Sequence, residues 1–330
     1  MSSVCLLAVG LMAQGQAPGW QLAVPLSRVP RNLPTATDSR ISQLCNVSKL
    51  VGDRALVATA EFSRLEFSRL EVNRQGVIPD RPATRNAIDP AAKTNRLPEP
   101  LTGEQLYVQR LAALQTGKIY TRLPANSFQQ EWRDATATPT YEQWVNLLAQ
   151  EANAMAVGQG SSELTVLLGD SISLWFPSEL MMDDRFWLNQ GISGDTTSGI
   201  LRRISALDET RPDTIHVMAG INDLRRGATD IEIVGNLREI MRRLKQAHPQ
   251  AQIIIHSILP TRLAALPTDR IRRLNYNIST VAEEEGVNFL NLQPAFLDDS
   301  GILSRDLTTD GIHLSDRGYR AWHKVMASIL

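Results

Sequence analysis

From Leu164 onward the chain repeats one pattern: a short apolar run, a polar turn, then an amphipathic stretch. The runs are LTVLL (164–168), FWLN (186–189), TIHVMA (214–219), IIIHSI (253–258) and NFLNL (288–292). They are nearly continuous rather than alternating, so each strand must be covered on both faces. Between them lie TTSGILRRISAL (196–207), TDIEIVGNLREIMRRLKQAH (229–248) and TDRIRRLNYNISTVAEEEG (268–286), and SDRGYRAWHKVMASIL closes the chain. In the second of these, Ile231, Val234, Leu237, Met241 and Leu244 are expected to share the buried face. Strands alternating with helices predict an α/β domain over 161–330, with a parallel sheet of about five strands. Ligands in such sheets bind beyond the carboxyl ends of the strands.

The region before this domain is patterned less and less toward the N-terminus. Residues 101–160 read as a helical lead-in that packs on the domain. Thr102 starts one helix, with Leu106, Leu111 and Leu114 near helical spacing and Gly117 as a stop. Thr140 and Gln143 have the spacing of a capping box, ahead of Trp144, Leu147 and Leu148. Residues 18–100 are rich in Pro and Arg, and the five prolines between Pro79 and Pro100 read as linker. EFSRLEFSRLE (61–71) repeats a five-residue unit that fits neither helix nor strand period. Residues 1–17 hold an apolar run, Val4–Met12, too short for a bilayer span of about 20 residues. With small residues following, it reads as a signal or anchor segment, which favours an extracytoplasmic location and allows peripheral or N-terminal membrane association. No Lys or Arg precedes it, so a buried or disordered N-terminus is the competing reading.

The composition removes several function classes. The 330 residues are 43% hydrophobic and 21% charged, enough for a large core. The formal net charge of −1 gives no basic surplus for nucleic acid. Cys5 and Cys45 make neither a disulfide framework nor a metal pattern, and no cofactor fingerprint is present.

Polar residues collect where the strands end. Strand one runs into Gly169-Asp170-Ser171, strand two into GISGDTT (191–197), and strand three into Gly220-Ile221-Asn222-Asp223. TTDGIHLSDRGY (308–319) follows strand five. Each string is an ordinary turn by itself, and a Ser before a helix is most simply an N-cap. Together they meet at one rim of the sheet. A serine hydroxyl needs a base to become a nucleophile, and His313 is the candidate. Asp310, three residues earlier, can fix the imidazole tautomer. Ser171 N–H, Gly194 N–H and the Asn222 amide can receive the negative charge of a tetrahedral intermediate. The competing reading is a metal site drawn from Asp170, Asp195, Asn222, Asp223 and His313, and it is weakened because the other histidines lie away from these turns. His216 and His256 read as core residues. Trp175, Phe176 and Trp187 are divided between an acyl pocket and core packing, and Arg262 between a substrate contact and a surface position.

GDSI (169–172), Gly194 in GISGDTT, GIND (220–223) and DGIH (310–313) resemble the ordered blocks of the SGNH hydrolases, also called GDSL esterases/lipases. NQGISGDTTSGILRRI and RPDTIHVMAGIND look most like the platelet-activating-factor acetylhydrolase-like branch and related carbohydrate acetylesterases. The resemblance covers about residues 160–330 and departs at Ile172, where many members have Leu. It implies a flavodoxin-like three-layer α/β/α sandwich and metal-free ester hydrolysis through an acyl-serine. It assigns Ser171 as nucleophile, Asp310 and His313 as the rest of the triad, and Ser171, Gly194 and Asn222 to the oxyanion hole. The expected substrate is a small-molecule or carbohydrate ester with a short acyl group. The alternatives are a lysophospholipase or thioesterase on longer chains, or a catalytically silent binding module on the same fold.

Overall fold

A computed structural model describes residues 98–181 and 184–329. Residues 1–17, the duplicated EFSRL unit and both cysteines lie outside the described residues. The sheet has five parallel strands: β1 (Leu164–Gly169), β2 (Phe186–Gly191), β3 (Thr214–Met218), β4 (Gln252–His256) and β5 (Asn288–Leu290). Their order is β2-β1-β3-β4-β5, the doubly wound arrangement whose chain direction switches between β1 and β3. The five apolar runs became these five strands. Parallel pairing needs a crossover after each strand, and the amphipathic segments supply it.

β1 shows why its sequence does not alternate. Leu164, Val166 and Leu168 enter one apolar cluster while Leu167 enters the other. The first cluster is closed by α5 (Thr197–Arg203), α7 (Asp230–Ala247) and α8 (Thr268–Glu284). The second is closed by α1 (Gly103–Gln115), α3 (Tyr141–Gly158) and α10 (Asp316–Ala327). The sheet is thus the middle of three layers. The described lead-in also contains the short α2 (Gln129–Trp132).

Both caps expected in the lead-in are present. Thr102 accepts from Gln105 N, and Thr140 forms a complete capping box with Gln143. Gly117 follows α1 with φ +72°, a left-handed stop. The buried face of α7 differs from expectation. Ile233, Leu237, Ile240, Met241 and Leu244 are buried, whereas Ile231 is 85% exposed. Asp230 is the first residue of α7, so Ile231 lies in the open first turn and the stripe that meets the sheet starts at Ile233. Leu237→Ala would empty a fully enclosed site. It is expected to cost about 2–5 kcal/mol in denaturant unfolding at unchanged m-value.

His216 and His256 are core residues, as expected. His216 Nδ1 and His256 Nε2 are 2.9 Å apart, and Trp322 Nε1 donates to His256 Nδ1 at 2.9 Å. That indole donor requires His256 to carry its proton on Nε2 and give it to His216. Burial pushes His216 down to about 3 and His256 well below its ordinary value, so both rings stay neutral. Trp322 meets the His256 ring edge-on, and Phe176, Trp187, Tyr319 and Trp322 pack on one another in stacked and edge-on pairs.

Candidate active site

β1 ends in Gly169, and the chain turns at once into the short helix α4 (Ser171–Leu174). Gly169 is required by space, since a Cβ there would run into the Met218 carbonyl and the Ser173 side chain. The helix cap is Asp170 rather than Ser171: Asp170 Oδ1 accepts from Ile172 N at 2.9 Å. Ser171 is therefore the first helical residue, with a backbone N–H that helical bonding leaves over. Its hydroxyl is released from capping and lies 3.0 Å from His313 Nε2.

β5 is followed by the short α9 (Gln293–Phe296), and His313 sits on the segment between α9 and α10. Asp310 Oδ2 stands 2.6 Å from His313 Nδ1, and Asp310 Oδ1 accepts from the N–H groups of Ile312 and His313 at 2.9 and 2.8 Å. The carboxylate thus holds both the ring and the backbone that carries it. Burial pushes Asp310 upward, but the hydrogen bonds and charge of His313 outweigh this and hold it down to about 2. It is therefore an anion at working pH and fixes the Nδ1–H tautomer, leaving Nε2 to accept from Ser171. The loop is pinned from outside by Arg262, whose N–H donates to the Gly311 carbonyl at 2.9 Å. The Arg262 guanidinium pairs with Asp298 at 3.0 Å and is not among the residues lining the cavity.

Gly194 and Asn222 come from the ends of the two strands beside β1. Gly194 has φ +75°, which favours glycine, and it lies half-buried on the turn that follows β2. Asn222 is on α6 (Ile221–Arg225), directly after β3, and its Nδ2 donates to the Asp195 carbonyl at 3.0 Å. Ser171, Gly194, Asn222 and His313 line one cavity of about 290 Å³ at the carboxyl ends of the strands, beside the β1/β3 switch. Leu174, Trp175 and Ile192 make apolar wall there. Phe176 and Trp187 pack in the core instead.

The acidic residues of the turns serve the scaffold. Asp195 accepts from Arg203 Nε at 2.8 Å, and Arg203 Nη2 reaches the Gly169 carbonyl at 3.1 Å, tying the Gly194 turn to the Ser171 turn. Asp223 accepts from Thr197 N and Thr197 Oγ1, the latter at 2.6 Å. Among the described residues, no three His, Cys, Asp or Glu side chains converge to hold a metal ion.

Asp170 is a different case. It is fully buried, its Oδ2 makes no hydrogen bond, and burial pushes its pKa up to about 7 from an ordinary 3.8. The folded chain then holds a proton that the unfolded chain has released between those two values, so stability falls as pH rises through that window. Asp170→Asn keeps a capping oxygen and removes the ionisation. Its stability relative to wild type should rise from pH 4 to pH 7 in pH-resolved thermal melts, and a constant difference would contradict the shift.

The motif spacing did not indicate the outer wall of the cavity. Gly103, Glu104, Thr138, Pro139, Tyr141 and Trp144 come from the lead-in. Thr138 Oγ1 donates to Glu104 at 2.8 Å, and the Tyr141 hydroxyl lies 3.4 Å from Asp195. Capping signals located these helices, but nothing in their spacing said they would meet the strand ends.

The GDSL-like lipase/acylhydrolase profile matches residues 157–321, half of the chain. The platelet-activating factor acetylhydrolase IB subunit alpha1 of Bos taurus is 29% identical over 182 residues, covering 50% of this chain and 75% of that protein. The alpha2 subunit of Rattus norvegicus is 29% identical over 139 residues, 40% of this chain and 58% of that protein. A solved Streptococcus pneumoniae structure, whose description refers to platelet activating factor, superposes with a TM-score of 0.52 at 25% identity. That match covers 57% of this chain and 95% of the other. The five-stranded parallel sheet, the ordered strand-end blocks and this family match agree: the chain belongs to the GDSL-like lipase/acylhydrolase family, and by that membership is a carboxylic ester hydrolase.

Proposed function

We propose that the protein hydrolyses short acyl esters, acetyl esters foremost, through an acyl-serine intermediate on Ser171. The observation that carries this is the hydrogen-bonded chain Ser171–His313–Asp310 opening into a cavity that also holds Gly194 and Asn222. His313 Nε2 takes the Ser171 proton as Oγ attacks the ester carbonyl. The carbonyl electrons move to oxygen, and the N–H groups of Ser171, Gly194 and Asn222 face that charge. Collapse expels the alcohol, which takes the proton from His313. Water then attacks the acyl-serine with the same base and releases the acid.

The cavity supports a short acyl group, since about 290 Å³ lies just below the range of roughly 300–1,000 Å³ for small-molecule pockets. The acetylhydrolase names of the similar subunits agree with this. A polar alcohol, such as a sugar, suits a rim that carries Glu104 and Thr138 beside aromatic edges. The test is turnover of p-nitrophenyl esters from acetate to laurate, followed by an acetylated sugar. Rates should fall as the chain lengthens and be insensitive to EDTA. A maximum at long chains would favour a lysophospholipase or thioesterase, and no turnover of any ester would favour a binding module.

The acid limb of the pH profile gives a further prediction. Protonated His313 cannot accept from Ser171, whereas Asp310, held down to about 2, is ionised across the working range. Activity should therefore be lost on acidification while Asp310 is still ionised, and a profile that stays flat down to the pH at which Asp310 titrates would count against His313 as the base. Among the described residues no helix is long and apolar enough to cross a membrane.

A further inference from the structure

Two consecutive arginines follow the Asn222-Asp223 turn, and each touches one residue of the proposed oxyanion hole. Arg225 Nη1 donates to Asn222 Oδ1 at 3.2 Å, while Asn222 Nδ2 donates to the Asp195 carbonyl at 3.0 Å. The amide is held at both ends. Turned over, it would set oxygen against a carbonyl and NH₂ against a guanidinium, which has donors only. The observed orientation leaves the second Nδ2 hydrogen for the cavity that Asn222 lines. A cationic donor on Oδ1 also polarises the amide and strengthens its remaining N–H.

Arg226 acts on the neighbouring turn. Its Nη2 donates to the Gly194 carbonyl at 2.9 Å. Gly194 is at positive φ, one of several conformations open to glycine, so the geometry of its turn depends on what anchors it. Anchoring its carbonyl toward Arg226 restrains the turn that presents the Gly194 N–H. Both arginines are exposed, so neither supports the core.

We propose that Arg225 and Arg226 are positioning residues for the oxyanion hole, Arg225 aiming the Asn222 amide and Arg226 fixing the Gly194 turn. This rests on the reading of Gly194 and Asn222 as oxyanion donors. Losing a whole donor costs about 10²–10³ in kcat, so losing its alignment should cost about tenfold, with KM changed less than about twofold.

The experiment measures kcat and KM on p-nitrophenyl acetate for Arg225→Ala, Arg226→Ala, Arg226→Lys, Asn222→Ala and the Asn222→Ala/Arg225→Ala double variant. The expected result is a lower kcat in each arginine-to-alanine variant, partial recovery in Arg226→Lys, and no further loss from Arg225→Ala once Asn222 is alanine. An effect confined to KM, or full multiplication of the two losses in the double variant, would overturn the positioning role of Arg225. An unchanged kcat in Arg226→Ala would overturn that of Arg226. If Asn222→Ala lowers kcat and Arg225→Ala does not, only the inference falls. If Asn222→Ala itself leaves kcat intact, the oxyanion reading falls first and the inference with it.

Discussion

Ser171→Ala is expected to lower kcat on acetyl esters by about 10⁴-fold or more while leaving the fold intact. The side chain is small, is 6% exposed, and packs at the first turn of a helix capped by its neighbour Asp170. Removing its oxygen opens a void no larger than a hydroxyl and breaks one hydrogen bond, to His313. The cost to stability is therefore small, and the cost to chemistry is the whole covalent pathway. Residual turnover, if any, would come from substrate binding and the remaining donors polarising the ester toward water. Circular dichroism and melting temperature should match wild type, which separates a lost nucleophile from a lost fold. Activity within tenfold of wild type would place the nucleophile elsewhere.

The second large effect is on stability and concerns the lead-in. Arg110 on α1 is fully buried and donates to both oxygens of Glu151 on α3, at 3.0 and 2.5 Å. It also donates to the Asn189 carbonyl at 2.7 Å, which ties both helices to β2. Its guanidinium lies 4.5 Å from the centre of the Tyr120 ring. Burial opposes the charge, but the Glu151 carboxylate and neighbouring Tyr120 hold Arg110 above its ordinary pKa. Glu151→Ala would leave that cation enclosed and unpaired, at a cost of about 3–5 kcal/mol. For a domain of this size the melting temperature should drop by about 6–20 °C. The paired substitution Arg110→Met with Glu151→Leu should restore most of the loss, because a buried pair contributes little beyond apolar packing. If the single variant melts with wild type, the pair does not anchor the lead-in. This also bears on function, since Glu104, Thr138, Tyr141 and Trp144 reach the cavity from the same lead-in.

Much of this architecture is legible in the amino-acid sequence. Parallel strands buried on both faces leave continuous apolar runs, so LTVLL and IIIHSI announced themselves. Crossovers send every strand in the same direction, so motifs following different strands had to meet at one rim. That is why Ser171, Gly194, Asn222 and His313 could be gathered from four separate strings. Failures came where position depends on neighbours far along the chain. Ile231 and Ile233 are equally apolar, and only the start of α7 decides which is covered. Asp170 and Ser171 can both cap a helix, and the turn after Gly169 selects Asp170. The Arg110–Glu151 pair and the Arg226–Gly194 contact join residues 41 and 32 positions apart, and no local spacing encodes either.

The most direct test of the central claim is peptide mass mapping of enzyme quenched in acid during turnover of p-nitrophenyl acetate. One acetyl group should appear on the peptide that contains Ser171, be absent from Ser171→Ala, and accumulate more slowly in His313→Ala. Sustained turnover with no acetylated peptide, or with the acetyl group on another residue, would contradict the acyl-serine mechanism.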